Sequence, residues 1–411
     1  MQEAAGGSPK VAATGPLAGI RILDMTAVVL GPLATQILAD FGAEVIKIES
    51  PEGDLIRSSG VSVHPGMSSI YLALNRNKRS LVVDLKMPEG REVLGRLIPT
   101  VDALVHNMRS AAMERLGFGY QAVAAINPRI VYCASPGFGQ DGPDRDRPAF
   151  DDVIQAACGL AALVSIGRES PIYAPTLIAD KTTGMALANG VLAALLHRER
   201  TGQGQYVEVP MLETMTAFVM AEHLGGLTFH PPKGPAGYDR VLADGRRPAP
   251  TKDGYIGILP YTSEHWIAFF ETAGKRELGE RLGVADRERR NANIAEIYTA
   301  LAEITRERTT AEWLAFCAEA DVPATPIVAL DDLPQVPHLA AVGMFKTMRH
   351  PTEGTITYVR PATRFAASPA NVRLPAPVLG QDTDAILREL GYGDAEIAAL
   401  ESRKVIVRSK A

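Results

Sequence analysis

Cysteine is scarce: Cys133, Cys158 and Cys317 are the three in 411 residues. Three are too few for a disulfide framework, and no pair has metal-ligand spacing. Cys133 lies in an apolar strand-like run and Cys158 in an Ala/Gly-rich segment, where each reads as a small buried hydrophobe. That usage fits the cytoplasm. An excess of positive charge is also missing. The balance is 42 basic against 47 acidic residues, a net charge of −5, so no nucleic-acid partner is expected. No apolar run reaches the ~18 residues of a membrane span. The longest candidate, around Leu187–Leu196, is broken by Asn189 and ended by His197-Arg198-Glu199-Arg200. The eight histidines form no His-x-x-x-His or His-Glu-x-x-His pattern, and no calcium-loop run of carboxylates occurs, so no metal is expected. There is no Gly-x-Ser-x-Gly elbow for a hydrolase triad.

What is present is an ordinary globular composition, 46% hydrophobic and 22% charged, which excludes global disorder. The length allows two or three domains, or a large one with a smaller insertion. Residues 1–14, mostly small and polar, read as a disordered leader without the apolar core of a signal peptide. Ile20–Met25 reads as a strand, Gly31-Pro32 as a helix start with Pro at the first helical position, and Glu44–Glu49 as the next strand. The alternation continues: strand Ser80–Leu85, helix Pro88–Leu97, strand Ala103–His106, helix Ala111–Leu116 and strand Ile130–Ala134. Such alternation predicts an α/β, doubly wound, Rossmann-like domain. Helices are expected over Asp151–Val164, Thr183–His197 and Leu212–His223, with a short strand at Val207–Val209. The large domain is thus expected over 15–224 and a Gly/Pro/Arg-rich linker over 225–250. A smaller α+β domain is expected over 251–335, and a second linker with a return to the large domain over 336–411.

Three local features bear on chemistry. Gly137-Phe138-Gly139-Gln140-Asp141-Gly142 is a GxGxxG string after a strand, but Pro143–Pro148 follows it instead of an apolar helix. It therefore reads as a flexible loop near a site and not as a dinucleotide fingerprint. Glu49 ends the second strand, where it is either a ribose-binding acid or a solvated strand end. Asp180 precedes a long apolar helix, either as its N-cap or as a nucleophile able to form an acyl anhydride.

Longer strings carry a resemblance. Pro16–Asp24, Phe41–Glu49, Asn75–Ser80, Asp84–Gly90, Glu114–Gly119, Arg200–Gln205 and Leu379–Thr383 stand in the order found in the family III coenzyme A transferases, the CaiB/BaiF group that includes formyl-CoA transferase. The resemblance runs from about Gly15 to Ile406. It implies an acyl-CoA:carboxylate CoA-transferase with Asp180 as the nucleophile, passing through aspartyl anhydride and aspartyl-CoA thioester. It further implies coenzyme A contacts at Val28, Lys86, Asn107 and Arg115, with Arg109 a further basic candidate close by. An acyl pocket or loop is implied at Val29, Gly137, Gly139, Phe150 and Asp151. Coenzyme A is then a substrate, and no cofactor is implied. The partners are thioesters and carboxylic acids, and the assembly is a homodimer of interlocked rings.

The family also contains α-methylacyl-CoA racemases, the alternative reading. These carry a His where this chain has Phe150, and a phenyl ring cannot carry a proton. Many relatives have an Arg where Ser50 stands here. Formyl-CoA transferase has a His and a Gln at Ala27 and Val29, which implies a larger or more apolar acid than oxalate or formate for this chain.

Overall fold

The computed structural model describes residues 14–409; the leader expected at 1–14 lies, apart from Thr14, outside them. Two compact units are present. Residues 14–164, 171–219 and 338–409 form one, and 165–170 with 220–337 form the other.

The first unit begins β1 (Arg21–Met25), α1 (Leu30–Asp40), β2 (Glu44–Glu49), α2 (Ser69–Leu74) and β3 (Lys78–Val83). It continues with α3 (Pro88–Leu97), β4 (Ala103–His106), α4 (Ser110–Leu116), α5 (Tyr120–Ile126) and β5 (Val131–Ala134). Then come α6 (Asp151–Ala157), α7 (Leu160–Val164), α8 (Ile178–Thr201), β6 (Gln205–Glu208) and α9 (Met211–His223). The six strands pair in parallel in the order β3-β2-β1-β4-β5-β6. Successive strand residues point to opposite faces, and here both faces are covered. Ile22, Val45, Val105 and Cys133 join a core with α1, α6, α8 and α9. Leu23, Ile46, Leu104 and Tyr132 join another with α3 and α5. Burial on both faces is why the strands read as continuous apolar runs.

The second unit holds β7 (Ala249–Pro250), β8 (Tyr255–Ile258) and β9 (Ala324–Pro326), an antiparallel sheet in that order. Helices Ser263–Thr272, Ile294–Thr305 and Thr310–Glu319 pack around Trp266, Phe269, Phe270 and Trp313. The last of these is opened by a capping box between Thr309 and Glu312. Residues 225–250 fall within this unit and fold back on themselves: Gly226 N–H donates to Pro235 O at 3.0 Å and Gly237 N–H to His223 O at 2.8 Å. Back in the first unit, β10 (Phe345–His350) and β11 (Gly354–Val359) form an antiparallel hairpin, and β12 (Ile406–Val407) adds antiparallel to the outer edge of β3.

Several boundaries differ from expectation. α1 starts at Leu30, so Pro32 is its third residue; its missing N–H is still one that a first turn leaves unpaired. The segment expected as one helix over Asp151–Val164 is broken at Gly159, whose φ is +87°. α8 begins five residues before Thr183, through the polar Asp180-Lys181-Thr182. Helices Arg276–Leu282 and Arg287–Ala292 lie in charged runs that show little apolar periodicity. Among the described residues, no helix is long and apolar enough to cross a membrane.

Candidate active site

In this strand order the chain turns away from β1 in two directions, toward β2 and toward β4. In open α/β sheets such a point leaves a crevice at the carboxyl ends of the strands. The loop after β1, Thr26–Val29, borders it and is held from behind. Asp24, fully buried on β1, accepts from Thr26 N–H (2.9 Å), Thr26 Oγ1, Thr35 Oγ1 (2.7 Å) and Lys78 Nζ (3.0 Å). Lys47 Nζ donates to Thr26 O and to Asp54 Oδ2. Asp54 Oδ1 accepts Val28 N–H at 3.0 Å. These contacts keep Val28 at φ +70°, a left-handed conformation rare for a β-branched residue.

Asn107, at the end of β4, completes the clamp. Its Oδ1 accepts Ala27 N–H at 2.9 Å and its Nδ2 donates to Ala27 O at 2.8 Å. The side chain therefore mimics a strand neighbour and ties the loop after β1 to the loop after β4. Arg109 caps the start of α4 and reaches Asp146 O, on the loop after β5. Lys86 follows β3 and is exposed; Arg115 is exposed in the last turn of α4. Val28, Lys86, Asn107 and Arg109 thus belong to loops after β1, β3 and β4, on one edge of the sheet. Arg115 stands a helix away.

Asp180 is the third residue of α8, so it is not the N-cap; that position is Leu177. Its side chain is buried, at 9% exposure. Asp151, the first residue of α6 and also buried, accepts the Asp180 backbone N–H on Oδ2 at 2.9 Å. Gln155, one turn along α6, donates to Asp151 Oδ1 and accepts Ala174 N–H at 2.9 Å. That chain of bonds fixes the segment entering α8. Burial, and then the nearby charge of Asp151, push the Asp180 carboxyl up to about 7. Gly184, one turn further, has no room for a side chain: a Cβ would lie 2.6 Å from Leu30 O. The starts of α1 and α8 therefore meet, which brings Asp180 to the loop of Val28 and Val29.

The remaining candidates divide. Gly137 sits against Ala149, where a Cβ would meet that side chain at 2.3 Å, so the glycine-rich loop reaches the start of α6. Phe150, beside Asp151, is 63% exposed. Val29 is 3% exposed and packs with Ile56, Met67, Tyr71 and Ala376, so its side chain faces a hydrophobic cluster and not an open pocket. The loop amides at Gly139 and Gln140 are already taken, by Glu213 Oε1 at 2.8 Å and Glu208 Oε1 at 2.9 Å. Glu49 is neither solvated nor open to a ribose: both its oxygens bind Arg57 at 2.7 Å. The residues that sequence reasoning missed are Asp54 and Gln155. The i, i+4 spacing of Asp151 and Gln155 on a helix was the available signal for the second.

The switch of strand order beside the β1 loop, where open α/β sheets bind ligands, and the buried Asp180 and Asp151 next to it make this edge of the sheet the candidate active site. Comparison with known proteins gives the family. The profile of CoA-transferase family III matches residues 17–383, and the chain belongs to that family. It is 32% identical, over 95% of its length and 99% of theirs, to the formyl-CoA:oxalate CoA-transferases of Escherichia coli O6:H1 and Shigella sonnei. Among solved structures it is similar to Rv3272 from Mycobacterium tuberculosis (TM-score 0.79, 30% identity, 91% of this chain and 99% of that one). A CaiB/BaiF family protein from Brucella suis is also similar (TM-score 0.78, 29%, 92% and 100%). The protein is a CoA-transferase.

Proposed function

We propose that the chain moves coenzyme A from an acyl-CoA thioester to a free carboxylic acid through covalent intermediates on Asp180. The observation that carries this is the buried Asp180 carboxylate at the start of α8, beside the β1 loop and paired through its backbone with Asp151. A carboxylate oxygen of Asp180 bonds to the thioester carbonyl carbon, the C–S bond breaks, and the thiolate leaves with the electron pair. The thiolate then attacks the aspartyl carbonyl of the mixed anhydride and expels the first acid, leaving an aspartyl-CoA thioester. The acceptor acid repeats these steps in reverse and Asp180 is regenerated. Each intermediate keeps the energy of the thioester, so no ATP is needed. Val28, Lys86, Arg109 and Arg115 hold the nucleotide end, where Arg and Lys match phosphate oxygens. The paired amide of Asn107 points to a role in shaping the loop that coenzyme A would follow. No resident cofactor is invoked, and the buried, unpaired thiols suit the cytoplasm.

The assembly in this reading is an interlocked homodimer, with the chain crossing between its two units at 219–220 and 337–338 and not through a linker over 225–250. One feature of the first unit supports a second copy. An apolar groove of about 1210 Å³, bounded by Leu33, Met185, Leu192, Met344 and Ile356, lies open there. A folded monomer in native mass spectrometry would overturn the interlocked form.

The decisive experiment is trapping. Incubation with an acyl-CoA and hydroxylamine is expected to leave a hydroxamate on Asp180, and Asp180→Ala is expected to abolish transfer while retaining coenzyme A binding. Full transfer in Asp180→Ala, or solvent exchange of the α-proton without any transfer, would overturn the reading.

A further inference from the structure

α8 places two buried groups together at its start. Thr183 follows Asp180 by three residues, so the two side chains are neighbours on the helix surface. Each Cα–Cβ bond of a helix tilts toward its N-terminus, which carries the Thr183 side chain toward the turn holding Asp180. Thr183 is fully buried, and its Oγ1 has no hydrogen-bond partner. A helical threonine ordinarily returns its hydroxyl to a carbonyl three or four residues back; this one does not. Nothing among the described residues donates to the Asp180 carboxylate either: burial and the Asp151 charge are the influences on it. An unused donor and an unserved acceptor therefore stand one turn apart.

We propose that Thr183 donates its Oγ1–H to the Asp180 carboxylate during transfer, engaging the oxygen that does not attack the thioester. This rests on the reading of Asp180 as nucleophile. After the attacking oxygen has bonded to the acyl carbon and the thiolate has left with the C–S electron pair, the other Asp180 oxygen is the aspartyl carbonyl oxygen of the anhydride. When the thiolate adds to the aspartyl carbon, that oxygen takes the negative charge until the acid departs. One donor thus serves the free carboxylate first and the oxyanion afterwards. The amides of Gly139 and Gln140 are committed to Glu213 and Glu208, which leaves this task to another group. The charged groups around Asp180 are few. On α6 they are Asp151, buried, and Asp152, exposed; on α8, Lys181 is turned to Thr176 Oγ1; the first turn of α1 carries none.

Thr183→Val removes the hydroxyl at nearly constant shape, and Thr183→Ser keeps it. The Val variant is expected to form the covalent intermediate about 10- to 100-fold more slowly in single turnover, the usual worth of a hydrogen bond to a charged group. It is also expected to shift the acidic limb of kcat/KM upward by about one pH unit, with KM for the thioester little changed. Ser should restore both. Superimposable rates and pH profiles for Val and wild type overturn the proposal, and so does an equal loss in Val and Ser, which would mark a packing role. If the Val variant does not fold, Thr183→Ala is read in the same way. Asp180→Ala, measured in parallel, separates the two claims. Retained transfer there refutes the nucleophile, whereas lost transfer with an unaffected Thr183→Val refutes the donor alone.

Discussion

The backbone N–H of Asp180 donates to Oδ2 of Asp151 over 2.9 Å, so a first-turn N–H of α8, which has no partner within the helix, is satisfied by a second buried carboxylate. The bond holds α6 and α8 together at the site and sets two acids side by side. Burial first, and the Asp151 charge second, raise the Asp180 carboxyl to about 7. The nucleophile is the ionised form, so kcat/KM is expected to rise with pH through about 7. Asp151→Asn removes the like charge and leaves the burial. The acidic limb should then move down without reaching the ordinary carboxylate range. A pH–rate profile of the two proteins checks this; an unmoved limb in the variant counts against the coupling.

The same shift has a cost in stability. Asp180 titrates at about 7 when folded, above its ordinary value of 3.8. Below pH 3.8 both states are protonated and the group is neutral in its effect. As pH rises through the window from 3.8 to about 7 the unfolded chain ionises first, and folding loses up to about 4 kcal/mol. Asp180→Asn removes that loss while keeping the shape. It should be inactive, with a higher Tm than wild type at pH 8 and a difference that vanishes near pH 3.5. Thermal unfolding at the two pH values decides it.

Asn107 offers a test of the β1 loop. Asn107→Asp can still accept from Ala27 N–H but cannot donate to Ala27 O, which leaves two acceptors facing each other. The expected loss is about 1–3 kcal/mol, read by denaturant unfolding. Release of Val28 from its left-handed conformation should also raise KM for the thioester. An unchanged KM would show that the loop holds its shape without this clamp.

Much of the first unit was legible because its strands are apolar on both faces; α3 and β4 fall on the residues read for them. β3 begins earlier than expected because its first residue is Lys78, a buried ion partner that no apolar pattern reveals. β10 escaped because Phe345–His350 is mostly polar and half exposed. At the site, Asp180 became specific through long family-like strings and not through its own neighbours, which by themselves favoured an N-cap. The Asp151–Gln155–Ala174 chain joins segments about 20 residues apart through side-chain bonds, and Glu49 turned inward to Arg57. Tertiary pairing of this sort leaves little trace in local periodicity.

The last prediction concerns the charges beneath the β1 loop. Lys78 and Asp24 are both wholly buried, 3.0 Å apart. Burial pushes the Lys78 ammonium down to about 8 against the pull of Asp24. Burial likewise works against the Asp24 charge, but Lys78 and Lys47 outweigh it and hold that carboxyl below its ordinary range. Lys78→Met leaves Asp24 with a charge in a dry place and strands Asn75 Oδ1, another acceptor of Nζ; Pro32 O, the third, still accepts Thr35 Oγ1. A loss of about 3–5 kcal/mol is expected. Adding Asp24→Asn removes the stranded charge, so the double variant should be more stable than Lys78→Met alone. Asp24 also receives both donors of Thr26, and every variant in the cycle should therefore weaken thioester binding. Denaturant unfolding of the two single variants and the double variant measures the coupling. Additive losses would show that the two charges do not depend on each other.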